Sequence, residues 1–191
     1  MPIFLPTFSR MGVVALAALM AATRFHHFGS PFALPDASLA VFFLAGLLSA
    51  NPWFFGVLLI EAGLIDYLAI SVGGVSDWCV TPAYLFLLPT YGAMWVGGRW
   101  AARIDRRSLR SLAGIAALLV LVSSTAFLIS NLSFYAFSGR YAEIAVVDYM
   151  AAIGAYYLPY VSTAVLYSAL VYATVLALRR LMRGSVRELA H

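Results

Sequence analysis

Six apolar stretches, separated by short polar turns, take up most of the chain: roughly residues 9–28, 37–50, 53–72, 81–100, 109–132 and 148–178. Crossing the hydrocarbon of a bilayer takes about 20 apolar residues in a helix rising about 1.5 Å per residue. The second stretch covers only 14 residues, about 21 Å of helix. It is read as a short span, with a re-entrant segment as the alternative. The sequence therefore predicts an all-α integral membrane protein, a compact bundle of six transmembrane helices forming one domain over residues 1–191. Pro89 and Pro159 fall inside the fourth and sixth stretches. There a missing backbone donor kinks the helix, which either lines a cavity or only curves the axis.

Composition strengthens this picture. The chain is 63% hydrophobic and 10% charged, with a mean hydropathy of +0.92; a soluble domain carries about 25% charged residues. All twelve basic residues are arginine, and they sit in turns. Arg99, Arg103, Arg106, Arg107 and Arg110 follow the fourth stretch, Arg179, Arg180, Arg183 and Arg187 follow the sixth, and Arg10 precedes the first. Short loops rich in arginine stay in the cytoplasm, so six spans put both termini there. Only Arg24 and Arg140 fall near the other face. The net charge of +4 thus reports topology rather than nucleic-acid binding. Arg10 followed by "MGVVALAALMAA" also resembles a secretory signal peptide, but the later spans hold the chain in the membrane either way.

The outer side then receives residues 24–36, 71–81 and about 133–147. The second of these, "SVGGVSDWCVTP", holds the single cysteine, Cys79. One cysteine excludes an intrachain disulfide, a CxxC redox centre and a Cys-rich zinc site. Thr81 and Pro82 read as N-cap and first residue of the fourth helix. Cys79 would then lie just before a helix N-terminus, where the dipole favours thiolate and neighbouring Asp77 opposes it. The plain alternative is a small inert core cysteine.

His26 and His27 end the first stretch on the same side. Adjacent helical residues point about 100° apart, so one metal takes at most one of them, and His27 is preferred. The other histidine, His191, lies on the opposite side, which speaks against a bis-histidine haem within one chain. A thiolate and an imidazole are two ligands, too few for zinc. They suit a metal that arrives already held by a macrocycle and lacking only axial donors.

Glu61 and Asp66 lie within the third stretch, where carboxylates are functional candidates by default. They are five residues apart, about 140° around a helix, and so do not form an acid–base pair. Asp66 can accept hydrogen bonds from a ligand's amides, or instead pair with Arg24 or a backbone group. Glu61 sits near mid-depth and either satisfies interhelical polar contacts or stays protonated. Trp78, Tyr84, "SFYAFSGRY" and "YYLPY" crowd the outer half, as an interfacial aromatic belt does. Tyr84 lies five positions past Cys79 and can face the same pocket, and the stretch around Arg140 can cover it. On the first helix, Ala17 with Ala21 and Ala18 with Ala22 form small-xxx-small pairs that permit close helix approach.

With its compact spans, "FHHFG" ending the first, "SDWC" before the fourth and the alanine pairs, the chain resembles the BtuM family of bacterial cobalamin transporters. These are similar to the substrate-binding S-components of energy-coupling factor transporters. The resemblance implies a bacterial inner-membrane protein that takes up cobalamin or a related corrinoid such as cobinamide. It implies that Cys79 is an axial cobalt ligand and that His27, beside His26, is the opposing ligand or its near neighbour. Asp66 and Tyr84 would bind the corrin's amide rim or position Cys79, with Trp78 and Arg140 nearby. Ala17, Ala18, Ala21 and Ala22 would contact a transmembrane coupling subunit that works with separate ATPases. The chain has no lysine and hence no GxxxxGK[ST] motif, so any ATP-driven step belongs to other chains. A thiolate on cobalt competes with cyanide, which would give Cys79 a slow decyanating activity toward cyanocobalamin. Two other functions stand beside this one: a membrane enzyme with a Cys79 nucleophile, though no compact Cys/His/Asp signature is visible, and a structural subunit.

Overall fold

A computed structural model describes residues 10–25, 34–49, 51–105 and 108–188, with side chains from Met11 to Leu178. The elements are α1 (Arg10–Arg24), α2 (Ser38–Leu48), α3 (Pro52–Ser71), a 3-10 helix (Pro82–Phe86), α4 (Leu87–Ala101), α5 (Leu109–Phe137) and α6 (Val146–Glu188). No strand occurs among the described residues.

Local sequence sets several of these boundaries. Asn51 caps α3, its side chain accepting from the Trp53 amide at 3.0 Å, with Pro52 in the first turn where no donor is needed. Ser108 caps α5 by accepting from the Ser111 amide at 3.1 Å. Gly74 and Gly139 adopt φ of 68° and 71°, a left-handed conformation open to glycine, and they turn the chain after α3 and after α5.

Three helices are long and apolar enough to cross a membrane: Pro52–Ser71, Leu109–Phe137 and Val146–Leu178. Met11–Arg24 and Ser38–Leu48 are apolar but shorter. On α3 the buried residues Phe54, Leu58, Ala62, Ile65, Asp66 and Ala69 recur every three or four positions, the spacing of one helix face. The opposite face carries Trp53, Val57, Ile60, Leu64 and Tyr67, each between 55% and 79% exposed. A helix apolar on both faces belongs in lipid. On α5, Leu121, Leu128 and Leu132 are likewise turned outward, as are Leu158, Leu166 and Leu170 on α6.

The short α2 is the centre of the bundle. Its residues from Ser38 to Gly46 are all buried, and α1, α3, α4 and α6 pack around it. Phe42 stacks on Tyr91 of α4 with ring centroids 4.3 Å apart. The tightest approach uses glycine. A Cβ on Gly46 would collide with the Trp95 carbonyl, and one on Gly98 with the Phe43 carbonyl. Hydrophobic burial does not drive helix association in lipid, so close backbone packing of this kind holds the bundle.

Several expectations for the fourth stretch change. The stretch 81–100 is not one α-helix: Pro82–Phe86 is 3-10 and α4 begins at Leu87. Thr81 makes no side-chain cap, and its hydroxyl is buried without a partner among the described residues. The helix dipole acts only within the first turn; α4 starts eight residues past Cys79, so it gives the thiol no support. Pro89 lies in the first turn of α4, where no intrahelical bond is lost, and so does not kink a span. Pro159 does lie inside α6.

Candidate functional site

One end of the bundle gathers the C-terminal ends of α1 and α3 with the start of α2 and α4. At its centre is Arg24, the last residue of α1, only 4% exposed. Its guanidinium grips Asp66 of α3 with two bonds, Nε to Oδ1 at 2.7 Å and Nη2 to Oδ2 at 2.6 Å. Nη1 donates to Asp36 Oδ2 at 3.1 Å, Ser38 Oγ at 3.0 Å and the Tyr91 hydroxyl at 2.6 Å. Asp36 also accepts from the Ser38 amide at 2.9 Å, tying the start of α2 into the cluster. A planar fork with five donors is suited to a buried double carboxylate of this kind.

Tyr84 joins the cluster from the 3-10 helix. Its hydroxyl donates to Asp66 Oδ2 at 2.7 Å. Asp66 therefore has three donors already and serves first as the structural partner of Arg24. Cys79, Asp66, Ile70, Val80 and Tyr84 line a cavity of about 20 Å³, room for about one water molecule. Asp66, Ile70, Val80 and Tyr84 also line a wider neighbouring cleft of about 280 Å³ that extends to Gly63, Tyr67 and Asp77.

Cys79 is exposed and free. Partial burial raises its thiol above the ordinary range; Arg140 counteracts this and Asp66 adds to it. Burial therefore holds the thiol on its protonated side, and α4, which starts at Leu87, is too far along the chain for its dipole to offset this. Next to it, Arg140 lies over the Trp78 ring at 3.6 Å from the centroid and donates from Nη2 to the Trp78 carbonyl at 3.0 Å. These two contacts pin the α5–α6 turn onto the Cys79 turn. Behind Arg140, Tyr141 packs against Phe134, Tyr135 and Tyr149, and the Tyr135 hydroxyl donates to the Ile144 carbonyl at 2.7 Å.

The structure thus brings together Cys79, Asp66 and Tyr84 at one cavity, and Trp78 with Arg140 beside it. His26 and His27 lie outside the described residues, two and three positions past Arg24. The sequence alone does not single out Tyr91, Asp36 and Ser38, which hold Arg24; Arg24 is one of the partners it offers for Asp66, beside a ligand's amides and a backbone group. A lone arginine at the end of an apolar stretch is the signal available. Among the described residues no cluster of three metal-binding side chains occurs. No protein-family model matches the chain, and no characterised protein matches it.

Proposed function

We propose that this protein is a membrane uptake protein for cobalamin or a related corrinoid, which grips the substrate's cobalt through Cys79 at the outer end of the bundle. The observation that carries the reading is an exposed thiol lining a cavity with Asp66 and Tyr84, in the same turn as Trp78, which Arg140 covers. Arginine distribution supports six spans with both termini in the cytoplasm of a bacterial inner membrane. The 3-10 helix and α4 together cover Pro82–Ala101, a rise of about 32 Å, long enough for the fourth span.

The cavity beside Cys79 is far smaller than a corrin ring. Entry therefore requires the Cys79 turn and the α5–α6 turn to part, with the Arg140–Trp78 contact as the natural point of release. His27, beside His26, would be the opposing axial ligand or its near neighbour. Tyr84 is the polar group best placed to follow the substrate, because its hydroxyl's hydrogen-bond partner among the described residues is Asp66, which Arg24 already neutralises. On α1, Ala18, Ala21 and Ala22 are exposed and Ala17 is partly so, which supports a docking face for a coupling subunit.

The protonated thiol gives the ligand exchange a definite balance. The Cys79 sulfur bonds to cobalt, the cobalt–cyanide bond breaks, and the thiol proton leaves with cyanide as hydrogen cyanide. Cobalt keeps its oxidation state. The raised thiol also weighs against a cysteine-nucleophile enzyme, which needs a depressed thiol or an adjacent base. The test is the absorption spectrum of cobalamin bound to the wild-type protein and to Cys79→Ser. A sulfur-shifted spectrum only in the wild type supports the reading; identical spectra refute the ligand role.

A further inference from the structure

Glu61 is the tenth of the 20 residues of α3, about 15 Å from either end of the helix. That is the middle of the bilayer for a helix crossing it. It lies between the buried residues Leu58, Ala62 and Ile65 and the outward-facing Val57, Ile60 and Leu64, and it is itself partly exposed. No hydrogen bond or ion pair reaches its carboxyl among the described residues. Asp66, five residues on in the same helix, has three donors.

Among the described residues, the neighbouring elements offer no counter-charge at this depth. α2 contains no titratable residue. On α1 the charged residues are Arg10 and Arg24 at its two ends, and Arg24 is committed to Asp66 and Asp36. α4 meets α3 where Trp95 contacts Phe55, and its Arg99 lies over the Trp95 ring. Tyr91, the titratable group nearer the outer end of α4, accepts from Arg24. A carboxylate with no partner in hydrocarbon costs several kcal/mol, so the stable form here is the neutral acid. The outer cleft already reaches the depth of Gly63 on the far side of α3, about 3 Å along the axis from Glu61.

We propose that Glu61 is a proton-binding site inside the membrane, and that through it a pH gradient acts on uptake; the second part rests on the corrinoid reading above. Glu61 takes one proton from the outer water and gives one to the cytoplasm in each cycle, with no other group changing its bonds.

The test uses the full chain in lipid vesicles. Dicyclohexylcarbodiimide enters hydrocarbon and adds whole to a protonated carboxyl, leaving a stable N-acylurea that peptide mass spectrometry assigns to one residue. The adduct is expected on Glu61 of the wild type, weaker at high pH, and absent in Glu61→Gln. With cobalamin outside, an acid-outside gradient of one pH unit should raise accumulation by up to about tenfold for one proton per substrate. Glu61→Gln should lose that gain, while Glu61→Asp, which keeps the acid, retains both labelling and gain. No adduct on Glu61 refutes the proton site, and a gradient gain that survives in Glu61→Gln refutes the coupling. A wild type that is labelled but takes up no cobalamin supports the site and overturns the uptake reading instead.

Discussion

Tyr84 donates to Asp66 at 2.7 Å while Arg24 holds the same carboxylate through two further bonds. One side chain of α3 thereby joins the 3-10 helix that follows the Cys79 turn to the end of α1. Asp66→Asn would remove from buried Arg24 the carboxylate it holds through two bonds, with Asp36 still paired to it. Removing one partner of a buried pair costs roughly 3–5 kcal/mol, so thermal unfolding in detergent should show a large fall in midpoint. Tyr84→Phe removes one hydrogen bond to a charged group and should cost about 1.5–3 kcal/mol. Equal midpoints for Asp66→Asn and the wild type would contradict the arrangement.

The glycines separate into two kinds. Gly46→Ala and Gly98→Ala place a methyl against a neighbouring backbone carbonyl, and overpacking of this sort costs about 1–3 kcal/mol or more. Gly56→Ala and Gly114→Ala meet nothing within 4 Å, and each should stabilise its helix by about 0.5–1 kcal/mol. Unfolding midpoints of the four variants check the contrast, which fails if all four move the same way.

Burial raises the Cys79 thiol above the usual range. Below that value the thiolate fraction, and with it alkylation by iodoacetamide, grows about tenfold per pH unit. The midpoint of the rate profile should lie above the value of about 8.5 for a free cysteine. A midpoint below it would mean that the thiol is activated rather than suppressed.

Sidedness is checked with the one native thiol and one introduced. A membrane-impermeant maleimide added to intact cells should label Cys79. In a Cys79→Ser background, Asp105→Cys, which lies in the turn after α4, should react only after the membrane is opened. The reverse result would invert the topology.

Much of the bundle was legible because lipid imposes a simple rule: long apolar runs become helices. α3 follows the expected 53–72 within a residue, and α5 starts at Leu109 as expected but runs on to Phe137. The 3-10 helix at Pro82–Phe86 was not legible, since Thr81–Pro82 is an equally good start for an α-helix. The central place of α2 was hidden as well. A short apolar run looks alike whether it spans, re-enters or is wrapped by other helices, and the Gly46 and Gly98 contacts that decide it are long-range. At the candidate site, Cys79, Tyr84 and Asp66, singled out by their chemistry and position, line one cavity. Arg24 was read mainly as a sidedness marker, because its partners Asp36, Ser38 and Tyr91 converge on it only through tertiary packing.

Cobalt X-ray absorption on the purified protein loaded with cobalamin decides whether sulfur reaches the metal. A sulfur scatterer in the first coordination shell, present in the wild type and lost in Cys79→Ser, is the expected result. A shell of nitrogen, oxygen or carbon donors alone in the loaded wild type would refute cobalt capture by Cys79.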